Sequence, residues 1–479
     1  MKNETTNRIA SKKRSFKLPH TLVLIYALVV MVYFLTWIMP SGSFRRVEKV
    51  VEGTKRMVTV PGTFTYEKKE SVGLESLLIA PMQGFIQGAE IIAFLFVIGG
   101  AFMVIQKTGT IDMAIKRLAD MFVSRPGLQK IVIPALMVVF SLGGAIFGMC
   151  EETIPFILVF IPLALSMGYD SIVGAAIPFL GAAAGFAAAF FNPFTVGIAQ
   201  GISNIPMYSG LVYRLITWVI GTTVIITFVM IYAKKVKKNP QVSPVYELDR
   251  QWLHQADANR IDTSAWSWRN RAVLLVFSGG IIILILGVLV EKWFILPIAA
   301  IFMGMGIISG FLGRMSSSQI AAHFVTGAKD MMNVAFIIAC GRAILVIANQ
   351  GQILDTALFY ASRFISLFPG VIVAQMMFVT QTVINFFIHS GTAQAALTMP
   401  IMAPLSDLVS ITRQTAVMAF QLCEFVNPIL PTSGVTMAVL GVAKIPWEKW
   451  ARWFLPLMII LIILSFLLLI PPVLMNWGP

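Results

Sequence analysis

Long apolar stretches without a single charged side chain follow one another along almost the whole sequence. Each has about 20 residues, which is the length that a helix needs to cross the hydrocarbon core of a bilayer. Only 12% of the 479 residues are charged, whereas a soluble domain carries about 25%. Soluble enzymes, nucleic-acid-binding proteins and disordered scaffolds are therefore excluded, and we predict an all-α polytopic membrane protein. The charge-free stretches cover residues 21–39, 131–150, 215–233, 272–290, 293–313, 364–388 and 453–479.

The distribution of basic residues predicts how the chain lies in the membrane. Lys and Arg are concentrated in the cytoplasmic segments of membrane proteins. With the N-terminus inside, 24 of the 36 Lys and Arg fall in cytoplasmic segments. We therefore predict a multi-pass protein of the bacterial cytoplasmic (inner) membrane, with a basic cytoplasmic tail at 1–20 and a first transmembrane helix at 21–40. The clustering of basic residues in cytoplasmic segments accounts for the net charge of +14, and no nucleic-acid partner is expected.

Four short sequence patterns occur twice, in the same order along the chain. The longest, at 143–163, aligns without a gap with 385–405, and Asn192-Pro193 corresponds to Asn427-Pro428. Because an extra helix separates the two copies, they are expected to start from opposite sides of the membrane, as in the inverted repeats of secondary transporters. The predicted organisation is repeat 1 at 76–233, a cytoplasmic loop at 234–271, a linking transmembrane helix at 272–290 and repeat 2 at 293–475.

Each repeat contains two places where a membrane helix is expected to stop inside the bilayer. One is a re-entrant hairpin with a tip of glycine and polar residues. The other is a helix broken at an Asn-Pro pair, since proline removes a backbone donor. Unpaired backbone at this depth is tolerated only where protein or water covers it, so two tips and two breaks would enclose one polar cavity. The hairpins are predicted at 131–168 and 366–409, and the broken helices at 171–203 and 414–443.

Ionisable side chains inside membrane segments are expensive to bury, and each is therefore a functional candidate. Glu151 and Glu152 lie at the first predicted tip, and Glu424 lies one helical turn before Asn427. Adjacent residues point about 100° apart on a helix, so only one of the two tip glutamates is expected to face the cavity. Glu152 is favoured, because its partner in the second repeat is the polar residue Gln394.

Basic side chains are absent from the two hairpins' tips and the two breaks. An acidic cavity of this kind suits a cationic or zwitterionic solute, a proton or a sodium ion. Glu90 is expected at a helix end near the membrane surface. Arg342 lies within a predicted span and is a candidate counter-ion to Glu90 or Glu424.

The hairpin and break motifs resemble those of the YfcC family. The resemblance rests on GGAIFGMCEETIPF at 143–156, on NPF with the following GIAQGI at 192–202, and on SGTAQAALTMPIMAPLSDL at 390–408. That family is described as basic amino acid antiporters and is related to the streptococcal ArcD arginine–ornithine exchangers and, more distantly, to the DcuC C4-dicarboxylate carriers. The resemblance implies the ion transporter superfamily fold, with two inverted repeats, a homodimer in the lipid bilayer and elevator-type movement.

These considerations predict a secondary transporter for amino acids, basic ones above all, and not an enzyme. The sequence has neither HExxH nor the P-loop pattern, so no catalytic residue, metal site or cofactor is expected, and a gradient of Na⁺ or H⁺ or exchange would drive transport. Glu152, His389 and Glu424 are the candidates for ion or proton coupling. The alternative is a carrier of C4-dicarboxylates or other small carboxylates, whose glutamates bind Na⁺ or H⁺. The predicted substrate-binding residues are Glu151, Glu152, Asn192, Ser390, Gly391, Thr392, Gln394, Glu424, Asn427, Thr432 and Ser433.

Overall fold

The chain folds into a mostly helical structure. The computed structural model describes residues 21–51, 54–68, 72–111, 113–114, 126–250, 267–291, 293 and 295–478. The predicted tail at 1–20 and part of the predicted loop at 234–271 lie outside these residues. Within the described chain, seven helices are long and apolar enough to cross a membrane, which confirms the prediction of a helical protein with several membrane spans.

The first half of the chain contains two helix interruptions. Helices α3 (Pro126–Phe147) and α4 (Ile154–Ser166) are joined by a short tip at 148–153, and helices α5 (Ser171–Ala187) and α6 (Ile198–Ile202) are separated by a break at 188–197. Helix α2 has 33 residues and is therefore about 50 Å long, which exceeds the roughly 30 Å of a bilayer core. The helices are α1 (Thr21–Ile38), α2 (Glu75–Lys107), α3 (Pro126–Phe147), α4 (Ile154–Ser166), α5 (Ser171–Ala187), α6 (Ile198–Ile202) and α7 (Leu211–Lys238).

The second half repeats these two interruptions. Helices α13 and α14 are joined by a second tip at 388–390, and helices α15 and α16 are separated by a second break at 423–433. The inverted orientation of the two halves in a membrane stays a prediction. The helices are α8 (Trp268–Glu291), α9 (Ile295–Leu312), α10 (Ser317–Asp330), α11 (Met332–Gln350), α12 (Ile353–Ile365), α13 (Gly370–Phe387), α14 (Gly391–Leu408), α15 (Arg413–Leu422), α16 (Gly434–Val442), α17 (Trp447–Leu468) and α18 (Ile470–Leu474).

The segment between α1 and α2 forms two small antiparallel β-ribbons, so the prediction of an all-α chain is wrong here. This segment is rich in Val and Thr, which favour extended backbone, and it is too polar for a membrane helix. Its docking on α12 uses an ion pair of 2.8 Å between Arg46 and Asp355 and stacked rings of Phe64 and Phe359. The strands are β1 (Gly42–Ser43) paired with β4 (Thr65–Tyr66), and β2 (Arg46–Val51) paired with β3 (Thr54–Thr59).

Glycine allows the central helices to touch backbone to backbone. A Cβ on Gly185 in α5 would lie 1.7 Å from the carbonyl oxygen of Ser141 in α3, and a Cβ on Gly84 in α2 would lie 2.0 Å from the carbonyl oxygen of Ala339 in α11. Helices in membranes associate through such small residues, since lipid supplies no hydrophobic driving force between them. These contacts fix how α3 and α5, and α2 and α11, are rotated toward each other.

The start of α5 is tied to the segment that follows α7. Asp170 caps α5 by accepting a hydrogen bond of 2.9 Å from the Val173 amide, and it also accepts hydrogen bonds from the hydroxyls of Tyr232 and Ser243. Asp249 accepts a hydrogen bond of 2.9 Å from the Ser171 amide. Two buried carboxylates therefore hold this segment against the end of α5.

We expect the docking of residues 243–249 to weaken as the pH rises from 5 to 7.5. Burial raises the pKa of Asp249 to about 6 and also raises the pKa of nearby Asp170, while Lys449 partly opposes the shift at Asp249. A carboxyl whose pKa is raised by folding stabilises the docked state below its unfolded pKa, and this contribution is lost as the pH passes about 6. Between pH 5 and 7.5 the loss for Asp249 is about 1.4 kcal/mol, because pH 5 lies about one unit below its folded pKa of about 6.

Hydrogen–deuterium exchange of peptides covering 239–250, corrected for intrinsic exchange rates, measures this effect. Asp249→Asn should make the exchange of this segment much less dependent on pH, because the side chain at position 249 then no longer titrates. The same pH dependence in Asp249→Asn and in the unmodified protein would contradict the prediction.

Candidate substrate-binding site

The first tip, residues 148–153, turns the chain from α3 into α4. Gly148 has a positive φ of 73°, a conformation that glycine adopts without strain. A Cβ at this position would lie 2.7 Å from Oδ1 of Asn192, so the tip also approaches the first break closely. A 3₁₀ turn, Glu151–Thr153, leads into α4. Glycine at position 148 thus allows both the turn and the contact with the break.

The second tip, residues 388–390, leads into α14 and packs against the first break. Ser390 caps α14 by accepting a hydrogen bond of 3.4 Å from the Ala393 amide. The hydroxyl of Thr392 donates a hydrogen bond of 2.9 Å to the carbonyl oxygen of Phe194. A Cβ on Gly391 would lie 2.6 Å from Cγ2 of Thr195. The two halves of the chain therefore meet at this tip.

The first break separates α5 from α6 around an Asn-Pro pair. The side chain of Asn192 accepts a hydrogen bond of 2.9 Å from the Phe194 amide. A π-helical turn, Pro193–Gly197, then leads into α6. Such turns occur mostly as single turns and are frequent at functional sites, and this one brings Phe194 and Thr195 to the second tip.

The second break is a 3₁₀ segment, Cys423–Ile429, followed by four residues that lead to α16. The indole N–H of Trp450 donates a hydrogen bond of 2.7 Å to the carbonyl oxygen of Pro428, and that of Trp447 donates one of 2.9 Å to Ile429. The backbone oxygens that leave the helical pattern are thus paired inside the protein, as is required away from water. The second break is therefore stabilised by hydrogen bonds from α17.

A cavity of about 610 Å³ lies where both tips and both breaks meet. Helices α2, α5, α9 and α11 complete its wall, and its volume is within the range of small-molecule sites. Four of its apolar lining residues come from α5, whereas its polar side chains come from eight different elements. The polar side chains are those of Gln87, Glu90, Glu151, Thr195, Arg342, His389, Ser390, Thr392, Glu424, Asn427, Ser433 and Thr436.

Most of the residues predicted to bind substrate or couple ions lie at this cavity. They come from three of the four interruptions, namely both tips and the second break. Their binding of a substrate or an ion stays a prediction. Those that line the cavity are Glu151, Ser390, Gly391, Thr392, Glu424, Asn427, Ser433 and His389.

The preference for Glu152 as the cavity-facing residue of the first tip is wrong. Glu152 is 6% exposed, does not line the cavity, and accepts a hydrogen bond of 2.9 Å from the Cys150 amide. The carboxylate thereby satisfies a backbone donor at the start of the 3₁₀ turn that leads into α4. Glu151 lines the cavity instead, since neighbouring side chains on a 3₁₀ turn point in different directions.

Three further predicted residues lie beside the cavity without lining it. Gln394 is buried, and its amide nitrogen donates a hydrogen bond of 2.8 Å to Gln381 inside the second hairpin. Asn192 is buried in the first break. Thr432 shares a hydrogen bond of 2.6 Å with Nε2 of His389. These side chains hold the tips and the first break in place, and none of the three lines the cavity.

Two charged side chains reach the cavity from helices outside the tips and breaks. Glu90 lies in the middle of α2, so the expectation that it sits at a helix end is wrong, and Arg342 lies in α11. The cavity therefore contains a guanidinium, which comes from α11 and not from the tips or breaks, where the sequence has no Lys or Arg. A signal existed in the sequence, since Glu90 and Arg342 are ionisable residues within apolar stretches. Their meeting depends on the packing of α2 against α11.

The second break presents polar oxygen atoms that have no hydrogen-bond partner in the described part of the chain. Glu424 is 1% exposed, and its Oε1 is unpaired, as is Oδ1 of Asn427. The other carboxylate oxygen of Glu424 accepts a hydrogen bond from the Asn427 amide. An unpaired buried acceptor is costly, so these two oxygens are suited to a donor group or a cation in the cavity.

Comparison with known proteins relates almost the whole chain to membrane transporters. Residues 18–473 match the family described as "C4-dicarboxylate anaerobic carrier" (DcuC). The Escherichia coli protein named "Putative basic amino acid antiporter YfcC" is 36% identical over 97% of this chain and 98% of its own. An uncharacterised protein of Haemophilus influenzae is 28% identical over 96% of this chain and 98% of its own.

Two solved transporter structures align with this structure. The YdaH transporter of Alcanivorax borkumensis aligns over 96% of this chain and 100% of its own, with 16% identity and a TM-score of 0.39. MtrF of Neisseria gonorrhoeae, described with a class of antimetabolite efflux pumps, aligns over 95% of each chain, with 15% identity and a TM-score of 0.39.

Proposed function

Since this chain belongs to the DcuC carrier family and is a homologue of YfcC, we propose that it is a secondary active transporter for amino acids, with basic amino acids such as arginine and ornithine as its substrates. Exchange of one substrate for another, or coupling to Na⁺ or H⁺, drives the transport. The observation that carries this proposal is the charge of the cavity. Three carboxylates, those of Glu90, Glu151 and Glu424, face it together with one guanidinium, that of Arg342.

This set of charges is complementary to a basic amino acid. Such a substrate carries two cationic groups and one carboxylate, whereas the cavity carries three acidic side chains and one basic side chain. Charges in a cavity of low dielectric must be matched by the ligand or remain costly. A dicarboxylate would bring two further negative charges to a lining that is already acidic. The unpaired oxygens of Glu424 and Asn427 also favour a ligand with ammonium or guanidinium donors.

The proposal includes alternating access by the two repeats. Paired tips and paired breaks at equivalent positions of the two halves are typical of transporters built from inverted repeats. We further propose the elevator type of movement, a homodimer and a location in the inner membrane with the N-terminus in the cytoplasm. The clustering of basic residues in the segments that would then be cytoplasmic supports this orientation.

A carrier of C4-dicarboxylates or other small carboxylates is the second candidate. It is favoured by the description of the DcuC family and by the presence of Arg342 at the cavity, since guanidinium groups bind carboxylates well. In such a carrier, Glu151 and Glu424 would bind the Na⁺ or H⁺ that accompanies the anion. The two candidates therefore assign opposite charges to the solute.

Counterflow into liposomes that contain the purified protein separates the two candidates. We expect internal ornithine to accelerate the uptake of labelled external ornithine or arginine, while internal succinate has no effect. Acceleration of labelled succinate uptake by internal succinate, without acceleration of ornithine uptake by internal ornithine, would establish the carboxylate carrier. Equal acceleration by both would refute the charge argument. Liposomes without protein give the background rate.

A further inference from the structure

Arg342 lies in the middle of α11 and lines the cavity. Its side chain packs beside Gly88 of α2, where a Cβ would lie 3.8 Å from Cγ of Arg342. Glu151 of the first tip and His389 of the second tip line the same cavity as Arg342. Arg342 therefore lies where substrate bound between the tips would meet it.

The guanidinium of Arg342 has no ion pair and no hydrogen bond among the residues that the structure describes. It is half-buried, and a charge without a partner in such surroundings is costly. Arginine presents five N–H donors in a planar fork that matches a carboxylate with two parallel hydrogen bonds. An anionic group of the substrate would supply the missing partner.

Two acidic side chains of the cavity lie on different elements, one at the first tip and the other in the second break. Glu151 lines the cavity at the first tip, whereas Glu424 lies in the second break, where a Cβ on Gly391 would be 3.4 Å from its Oε1. The α-carboxylate and α-ammonium groups of an amino acid share one carbon atom, so they need an adjacent cation and anion. The cation at the far end of a basic side chain needs a separate anion.

We propose that Arg342 binds the α-carboxylate of the substrate, that Glu151 binds the adjacent α-ammonium, and that Glu424 binds the cation of the side chain. This assignment rests on the proposed function and makes Arg342 the residue that distinguishes amino acids from amines. Of the predicted substrate-binding residues, Asn192 and Thr432 have no part in this assignment, because neither of them lines the cavity. The transporter should then bind putrescine, which is ornithine without its α-carboxylate, more weakly than ornithine.

Binding of ornithine, putrescine and succinate to the full-length purified protein tests this assignment. The unmodified protein should bind ornithine about 100-fold more tightly than putrescine, because putrescine leaves the guanidinium unpaired. Arg342→Gln should weaken ornithine binding about 100-fold and leave putrescine binding within about threefold of its original value. Arg342→Lys should restore part of the ornithine affinity, since a lysine keeps the charge but loses the paired geometry.

The retained binding of putrescine shows that Arg342→Gln is folded, and Arg363→Gln is the matched control, because Arg363 is exposed on α12. An equal loss of ornithine and putrescine binding in Arg342→Gln, or no loss of either, would overturn the assignment. If the unmodified protein binds succinate and not ornithine, the proposed function fails. The role of Arg342 then stands if Arg342→Gln abolishes succinate binding, and it falls if succinate binding is unchanged.

Discussion

Replacement of Glu424 by Gln is expected to lower the affinity for arginine and ornithine by at least about 100-fold. The side chain is 1% exposed, and its Oε1 has no hydrogen-bond partner in the described part of the chain. Glutamine keeps the size of the side chain and its position beside Asn427, but it removes the negative charge that a bound cation needs. Equilibrium binding and uptake by liposomes containing the variant measure the loss.

Glu291→Gln is the control for Glu424→Gln, since Glu291 is an exposed carboxylate at the end of α8. It should bind substrate as the unmodified protein does. Unchanged ornithine affinity in Glu424→Gln would contradict the proposed role of this carboxylate. A variant that still binds substrate but needs more Na⁺, or a lower pH, would instead place Glu424 in ion coupling and support the carboxylate carrier.

Gly185→Ala is expected to destabilise the protein by more than about 3 kcal/mol, which would show as a severe loss of folded protein. The new Cβ would lie 1.7 Å from the carbonyl oxygen of Ser141 and 2.8 Å from the amide nitrogen of Ala145. Both atoms belong to the backbone of α3, so no side chain can rotate away. Helix α5 would have to move from α3, and the first break at its end would move with it.

The yield of monodisperse protein and its apparent melting temperature measure this effect. Gly304→Ala in α9 is the matched control, because a Cβ at position 304 meets nothing within 4 Å. Removing a glycine from a helix there should stabilise the protein by about 0.5–1 kcal/mol. A Gly185→Ala variant as stable as the unmodified protein would show that α3 and α5 do not need to be in backbone contact.

The positions of the helix interruptions could be predicted because their causes are local. A glycine-rich polar tip and an Asn-Pro pair both disfavour a continuous α-helix. The structure places interruptions at 148–153, 188–197, 388–390 and 423–433, inside the segments where the sequence predicts hairpins and broken helices. The β-ribbons between α1 and α2 were not predicted, because the length of the apolar stretches says nothing about the secondary structure of a polar connection.

The composition of the cavity could be predicted only in part, because it depends on rotation about helix axes. Glu151 and Glu152 are neighbours with the same chemistry, and the repeat alignment pointed to the wrong one. In the structure the two differ, because Glu152 accepts a hydrogen bond from the Cys150 amide. A repeat alignment matches positions in sequence, and the partner of Glu152, Gln394, is also turned into its own hairpin.

The sequence by itself determined that this chain is a helical membrane protein with two halves of similar pattern, since charge-free length, glycine and proline act within one segment. Only the tertiary structure decided that Glu90 and Arg342 join Glu151 and Glu424 around one cavity. Those two residues lie about 250 positions apart, on helices whose close approach is set at Gly84 and Ala339. Which side chains meet there depends on how two helices are rotated against each other, and no single segment of sequence contains that information.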